Sequence, residues 1–266
     1  MNLYDRDYNK EPSKEELKEY KRILELEKSG LKIGYINHYR EYPEAIRHHN
    51  SLFPNNHIDL FDWQVDMKMS SINSSFEKLV HNISTNERDI LRFINKTPAP
   101  YIIGSLLQYE TFGHHATFIF PEFSIEDGKY YADYLIVGRS SGGYEFLFVE
   151  LESVNGTTTL KSGYDGKSIR AGYNQIFDWK YSIESNYNLI TNEFKKNMNP
   201  SKELPTEFIK FDSSRFHYAV VSGLRKDYNE TTYRNRRIKY KEMGIRSYHY
   251  DNLLELAIEL ENRNTF

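Results

Sequence analysis

Residues 116–152 have the sequence ATFIFPEFSIEDGKYYADYLIVGRSSGGYEFLFVELE, whose pattern of apolar and turn-forming residues predicts three antiparallel strands. The first strand, 116–125, is followed by EDGK, whose Asp-Gly pair is typical of a tight hairpin. The second strand, 130–138, ends at SSGG, and the third covers 144–152. The three segments thus form an antiparallel meander.

Apolar residues at helical spacing predict helices before and after the meander in the sequence, and two further apolar segments predict strands. The helices are expected at 86–96, 168–186, 230–243 and 251–261, and the strands at 216–223 and 245–250. This order predicts an α/β fold built on a mixed β-sheet. Nearer the N-terminus, the pattern predicts a helix over 12–28 that Gly30 closes, and irregular structure from Leu31 to Ser75.

The composition excludes several classes of protein. Lys plus Arg total 35 and Asp plus Glu total 38, and the net charge of −3 excludes a polybasic nucleic-acid coat but allows a local basic groove. The chain has no cysteine, which excludes disulfides, thiol catalysis and Cys-ligated zinc. No apolar run is long enough to span a membrane, and the opening MNLYDRDYNKEPSKEELKEYKR lacks the apolar segment of a signal peptide. We therefore expect a soluble, cytoplasmic protein with no membrane partner.

Three short motifs are weaker candidates for a site. Gly138–Gly142 matches the G-x-S-x-G elbow of serine hydrolases, but a strand follows it, so we interpret it as a hairpin loop. Gly163–Ser168 has two residues between its glycines where a phosphate loop needs four, so we interpret it as a polar loop with Ser168 at the helix N-cap. The histidine pairs at 48–49 and 114–115 point to different sides of any element, so we interpret them as surface or packing residues.

Acidic residues interrupt two strands of the meander. Glu150 and Glu152 share one face of the third strand with Phe146 and Phe148, and Asp133 interrupts the second strand. One hairpin separates the two strands, so Asp133 and Glu150 can converge. Buried carboxylates need a cation or hydrogen-bond donors, and convergent oxygen ligands suit Mg²⁺. The pattern alone leaves an alternative open, in which Glu150 and Glu152 face solvent at a frayed strand end.

This layout, a strand Asp, a hairpin, a strand Glu and then a helix, resembles that of PD-(D/E)xK nucleases. More specifically, the chain resembles the nuclease domain of the Shedu anti-phage defence proteins (DUF4263). The resemblance covers about residues 75–262, and the Gln-x-x-Asp-Trp helix at 175–179 is its most specific part. The matching stretches are NERDILRFINKTPAP (86–100), YADYLIVG (131–138), FVELESVNGTTTLKSG (148–163), SIRAGYNQIFDWKYSIESN (168–186), HYAVVSGLR (217–225) and IRSYHYDNLLELA (245–257).

The resemblance implies a restriction-endonuclease-like fold, with a mixed β-sheet flanked by helices. Residues 76–266 would form the nuclease domain, and residues 1–75 a mostly helical or irregular accessory region. It also implies a homo-oligomer, either a dimer or a tetramer.

The resemblance further implies roles for individual residues. Asp133 and Glu150 match the metal-binding acids for Mg²⁺ or Mn²⁺, and Glu87 would be a further metal contact. Glu152 stands where many such nucleases carry a catalytic Lys, and Gln175 matches a polar residue that faces the site.

Because position 152 is Glu, another residue would have to take the role of the catalytic Lys. Lys161, in the adjoining loop, is our first candidate, and Lys167 and Lys180 are the others.

A DNA substrate needs a cationic surface, and residues 225–241 are the strongest candidate. This segment has seven basic and two acidic residues, with tyrosines interleaved. The alternative is an ordinary solvent-exposed helix face, whose charged residues bind no ligand. The candidate DNA-binding residues are Arg225, Lys226, Arg234, Arg236, Arg237 and Lys239.

We therefore expect a metal-dependent DNA endonuclease of a Shedu-type defence system. The rival is a catalytically degenerate module of the same fold that binds nucleic acid or a protein partner, since Glu152 replaces the usual Lys. A subunit whose partner supplies the enzymatic activity is a third possibility.

Overall fold

The computed structural model describes residues 3–28, 42–64 and 68–266. Its centre is a six-stranded sheet whose strands follow one another in chain order. The first four strands pair antiparallel, and the last two extend the sheet in parallel. The strands are β1 (His57–Ile58), β2 (Ala116–Ile125), β3 (Tyr130–Ser140), β4 (Gly143–Leu151), β5 (Phe216–Val221) and β6 (Ile245–Tyr248).

Helices cover both faces of this sheet. We number those of the described residues α1 (Lys14–Lys28), α2 (Pro43–Asn50), α3 (Phe61–Gln64), α4 (Lys68–Val80), α5 (Glu87–Lys96), α6 (Tyr101–Gly104), α7 (Lys167–Ser185), α8 (Tyr187–Asn197), α9 (Glu230–Met243) and α10 (Tyr250–Glu259). The expected α/β class, a mixed sheet with flanking helices and a helical N-terminal region, is confirmed, and it is compatible with a restriction-endonuclease-like fold.

The core has two layers because side chains of β4 alternate between the faces of the sheet. Leu147 and Val149 lie in one apolar cluster with residues of α4, α5 and α10. Phe146 and Phe148 lie in the other, where Trp179 of α7 and residues of α8 cover them. Strand β4 is therefore buried on both faces, which explains its nearly continuous apolar sequence.

The N-terminal stretch contains more structure than its sequence predicts. The described residues between Leu31 and Ser75 include α2, α3, β1 and part of α4, where we expected irregular structure. Elements of two to eight residues are too short to show a period, and this is why the pattern missed them. The closure of the first helix at Gly30 lies outside the described residues.

Residues before position 75 also contribute to the sheet and its core. His57 of β1 pairs with Phe118 of β2, and Phe53 is completely buried. Asn73 of α4 donates a hydrogen bond of 2.8 Å to the Glu261 carboxylate after α10. The expected boundary at residue 75 falls inside α4.

The two loop motifs have simple structural explanations. Gly138 and Ser140 end β3, and Ser140 pairs with Gly143 of β4, so the G-x-S-x-G match is a hairpin as expected. The N-cap of α7 is Gly166, so the expectation of Ser168 at that position was wrong. A Cβ atom at Gly166 would lie 2.0 Å from the Thr157 carbonyl oxygen, and only glycine fits there.

Both edges of the sheet are short. Strand β1 has two residues and β6 has four, and each pairs with one neighbour. Among the residues that the structure describes, no helix has the length and apolar character required to cross a membrane.

Candidate active site

Strand pairing brings three acids to one register position of the sheet. Tyr134 of β3 pairs with Pro121 of β2 on one side and with Val149 of β4 on the other. The next position along these strands holds Glu122, Asp133 and Glu150. The pairing of β2 with β3 is interrupted at this position and resumes at Phe123, whereas the pairing of β3 with β4 ends just before it. Like charges on adjacent strands are unfavourable unless something else compensates for them.

Asp133 and Glu150 have very different hydrogen bonding. Asp133 accepts a 2.7 Å hydrogen bond from the backbone N–H of Leu151, which fixes one carboxylate oxygen against β4. Glu150 is 6% exposed, and its Oε2 atom is buried with no hydrogen-bond partner in the described part of the chain. A buried carboxylate oxygen without a donor is costly, so this atom requires a cation or a proton.

Glu152 extends the line of acids beyond the end of β4. Its N–H donates a 2.8 Å hydrogen bond to the Val221 carbonyl of β5, which continues the parallel pairing by one residue. Its carbonyl accepts a 2.7 Å hydrogen bond from the buried hydroxyl of Tyr250. Tyr250, which lies in the matching stretch 245–257, therefore holds the strand end that carries Glu152.

Helix α7 lies unusually close to this strand end. A Cβ atom at Gly172 would be 2.7 Å from Val220 Cγ1 and 3.2 Å from Glu152 Cγ. Glycine lets the helix backbone approach the acids, and this closeness removes water from their surroundings.

Burial and mutual repulsion raise the pKa of each central acid. Desolvation is the larger cause for Asp133 and Glu150, and the neighbouring carboxylates add to it. Desolvation, followed by the charges of Glu87 and Asp133, raises the pKa of Glu152 to about 7. The acids thus form one electrostatically coupled cluster, and a cation placed among them would be strongly favoured.

Glu87 and Gln175 approach the cluster from the two helical layers. Glu87 is the first residue of α5, and burial raises its pKa while Arg88 opposes the shift. Its charge raises the pKa values of Asp133, Glu150 and Glu152, which places it beside them. Gln175 of α7 lies near enough to Glu150 to oppose the rise of the Glu150 pKa.

The three candidate lysines lie outside this cluster or at exposed positions. Lys161 is exposed in the loop between β4 and α7, and Lys167 is exposed at the start of α7. Lys180 donates a 2.7 Å hydrogen bond to the Met243 carbonyl, so its ammonium group is held at the C-terminal end of α9. Which residue takes the place of the usual catalytic Lys stays a prediction.

The loop that carries Lys161 is tied to the basic helix α9. Asn235 donates hydrogen bonds to the Gly163 carbonyl and to Asp165, at 3.1 and 3.2 Å. Lys239 forms a 3.9 Å ion pair with Asp165. These contacts couple the position of α9 to the loop that leaves the acidic strand.

The predicted DNA-binding residues differ in whether their side chains form ion pairs with carboxylates. Arg225 pairs with Glu255 and Lys239 with Asp165. Lys226, Arg234 and Arg237 are exposed, and Arg236 is half-buried over the Tyr248 ring at 5.2 Å. Within the described residues, these last four have no carboxylate within ion-pair distance.

The donor set suits a hard divalent cation that keeps part of its water shell. The described residues include no group of three or more His, Asp or Glu side chains arranged as a closed metal cage, so Glu87 does not complete one with Asp133 and Glu150. Mg²⁺ is commonly held by one or two carboxylates plus water and substrate oxygens. The unpartnered Glu150 Oε2 atom and the neighbouring Asp133 carboxylate fit that mode of binding.

Two further participants were not identified from the sequence. Glu122 has a backbone φ of 48°, a value that residues other than glycine rarely adopt. The charge of Glu122 raises the pKa of Asp133. The one sequence signal was a lone acid inside the apolar strand β2. The hydrogen bond from Tyr250 to Glu152 joins residues 98 positions apart, and no local pattern reports such a contact.

A comparison with protein families gives one match. The model described as the C-terminal part of the Shedu protein SduA matches residues 84–254. The match includes all of the sequence-predicted site residues, from Glu87 to Lys239. No curated protein matches the chain.

Proposed function

The chain belongs to the Shedu family, whose members act in anti-phage defence, and from this premise we propose that it is a metal-dependent DNA endonuclease. The observation that carries the proposal is the group of half-buried Asp133 with buried Glu150 and Glu152, in which neighbouring charges raise the pKa of the two glutamates and one Glu150 oxygen lacks a partner among the described residues. Such a group destabilises the fold unless a ligand compensates for it, and perturbed carboxyl pKa values cluster at functional sites.

Asp133 and Glu150 would hold the ion. When bound there, Mg²⁺ or Mn²⁺ supplies a positive charge that acidifies water and offsets the charge developing on a phosphodiester. Asp133 is oriented by the N–H of Leu151, and Glu150 by its neighbour Gln175. The two carboxylates are thus positioned before any ligand arrives.

Glu152 is suited to accept the proton of the attacking water. Its pKa of about 7 lies near the operating pH, where a general base is most effective. The water oxygen would form a new bond to phosphorus while one phosphodiester P–O bond breaks, and the leaving oxygen would take a proton from solvent. Lys161 stays the candidate for stabilising charge on the phosphate from the loop side.

Plasmid cleavage tests this proposal. We expect supercoiled DNA to be cut with Mg²⁺ or Mn²⁺ but not with EDTA, and the Glu150→Gln variant to lose about 10³-fold in rate, since several kcal/mol of charge stabilisation disappear. Glu184→Gln, an equal charge change at an exposed position of α7, is the matched control. Cutting that survives in Glu150→Gln would exclude this site.

A catalytically inactive binding module is the second candidate function. Glu in place of Lys at position 152 favours it, as does the lack of a three-acid cage among the described residues. Metal-independent DNA binding by a wild-type protein that never cuts would support this alternative.

A further inference from the structure

A cleft lies at the edge of the sheet, away from the acids. It has a volume of about 280 Å³ and lies where α9 and the turn before β2 meet the edge strand β6. We call it the arginine–tyrosine cleft, and its principal side chains are Tyr109, Arg236, Arg237, Tyr240, Arg246 and Tyr248.

The cleft has an excess of positive charge. Arg246 pairs with Glu110 at 2.7 Å, whereas Arg236 and Arg237 have no carboxylate partner among the described residues. Arg225 and Lys239, elsewhere in the basic segment, are already neutralised by ion pairs. Two cations without a carboxylate partner among the described residues, Arg236 and Arg237, thus lie side by side in this cleft, and arginine is well suited to phosphate.

Aromatic rings are interleaved with these arginines. Tyr109 is 45% exposed and Tyr240 is 47% exposed, which is unusual for side chains of this size. Arg246 lies over the Tyr240 ring at 4.4 Å, and Tyr109 stacks on Tyr248 at 5.3 Å. Exposed aromatic rings beside cations are typical of surfaces that bind a nucleic-acid strand by stacking and by phosphate contacts.

The sheet register relates this cleft to the acids. Glu150 pairs with Val220 of β5, and Val220 pairs with Ser247 of β6, which lines the cleft. Two strand spacings therefore separate the backbones of Glu150 and Ser247, or roughly 10 Å. This distance corresponds to about three nucleotides along a DNA strand.

We propose that the arginine–tyrosine cleft binds the DNA strand a few nucleotides away from the bond that is cut. Arg236 and Arg237 contact phosphates, and Tyr240 stacks on an unpaired or unstacked base. The proposal rests on the proposed nuclease function for its substrate, and it adds a binding surface that lies outside the acidic cluster.

Equilibrium binding in EDTA tests the cleft without cleavage. The probe is a fluorescein-labelled single-stranded oligodeoxynucleotide, followed by anisotropy over a range of salt concentrations. We expect Arg236→Gln/Arg237→Gln to bind roughly tenfold more weakly and to lower the salt slope by about two. Tyr240→Ala should also bind roughly tenfold more weakly, with an unchanged salt slope, since a stacking contact carries no counterion.

Lys195→Gln is the matched control, because Lys195 is an exposed cation of α8 that lies outside the cleft and outside the acidic cluster. Wild-type affinity in this control supports the cleft, whereas an equal loss would mean that only the overall charge of the protein matters and would overturn the proposal. Unchanged binding by Tyr240→Ala and by the double Arg variant would overturn it as well. A melting temperature measured for each variant separates a lost contact from a lost fold.

The two proposals can fail separately. Cleft variants that bind like the wild type, in a protein whose cutting needs Glu150, contradict the cleft alone. Cleft-dependent binding in a protein that never cuts supports the cleft and contradicts the nuclease.

Discussion

At the scale of single residues, the sequence predicted part of the acidic cluster for a clear physical reason. Asp133, Glu150 and Glu152 interrupt strands that are otherwise apolar, so their burial and convergence follow from alternation along a strand. Glu122 was missed because its place beside Asp133 depends on the register of β2 and on an unusual backbone angle. The roles of these residues in catalysis stay predictions.

The acids should make stability depend on pH. Their folded pKa values are raised above the values of an unfolded chain, near 4. Between these two values the folded chain holds protons that the unfolded chain releases, so stability falls as pH rises. Without a metal, the cluster therefore lowers the free energy of unfolding increasingly as the pH rises above about 4, the pKa of these carboxyl groups in the unfolded chain.

We expect Glu150→Gln to melt about 5 °C higher than wild type in EDTA near pH 8, because the wild-type carboxyl group, with its raised pKa, must take up a proton on folding, whereas Gln needs none. The gain should fade towards pH 5, where the pH approaches the pKa of the carboxyl group in the unfolded chain. Calorimetry across this range is the measurement. Glu77→Gln, at an exposed position of α4, should show no such trend, and a gain that grows at low pH would contradict the assignment.

At the scale of elements, strong periodicity decided what could be predicted. Strand β2 has the expected bounds, 116–125, and α9 has the expected bounds, 230–243. Strand β1 and helix α3 have two and four residues, too few for a period to appear. Helix α8 follows α7 almost directly, and its polar sequence gave no separate signal.

The packing of α7 on β5 gives a prediction at this scale. Gly172→Ala places a methyl group 2.7 Å from Val220, a β-branched residue with little freedom to move. Alanine gains up to about 1 kcal/mol in helix propensity, but overpacking costs about 1–3 kcal/mol and should prevail. We expect a lower melting temperature and weaker DNA cleavage, because the acid nearest the helix is displaced.

A double-mutant cycle provides the control for this prediction. Val220→Ala should cost stability alone yet partly rescue Gly172→Ala, since it removes the clashing methyl groups. Asn174→Ala, on the exposed side of α7, should have little effect. Purely additive losses at Gly172 and Val220 would show that the two residues do not interact.

At the scale of the whole molecule, the sequence predicted the class of fold but not how distant parts meet. The antiparallel pairs join neighbours in the chain, whereas β4 and β5 pair across an intervening segment that contains α7 and α8. That β5 joins the free edge of β4, rather than the opposite edge of the sheet, is set by the packing of whole layers. The contacts of α4 with α10 and of Tyr250 with Glu152 have the same origin.

A cation should stabilise the entire chain if the acids bind it. Mg²⁺ at a hundredfold excess over its Kd adds about 2.7 kcal/mol to the free energy of unfolding, or roughly 5–10 °C in melting temperature. We expect Asp133→Asn to abolish this rise and Asp178→Asn, an exposed substitution on α7, to retain it. A wild-type protein whose melting temperature ignores Mg²⁺ would contradict the metal site.

The short edges of the sheet restrict how copies of this chain can assemble. Strand β1 offers two residues and β6 four, and Arg246 on β6 adds a charge to that edge. Continuing one sheet into a neighbouring molecule needs a longer row of free N–H and C=O groups. We therefore expect β1 and β6 to be poor sites for continuing the sheet into a neighbouring molecule, and contacts between copies to use helices, loops and side chains.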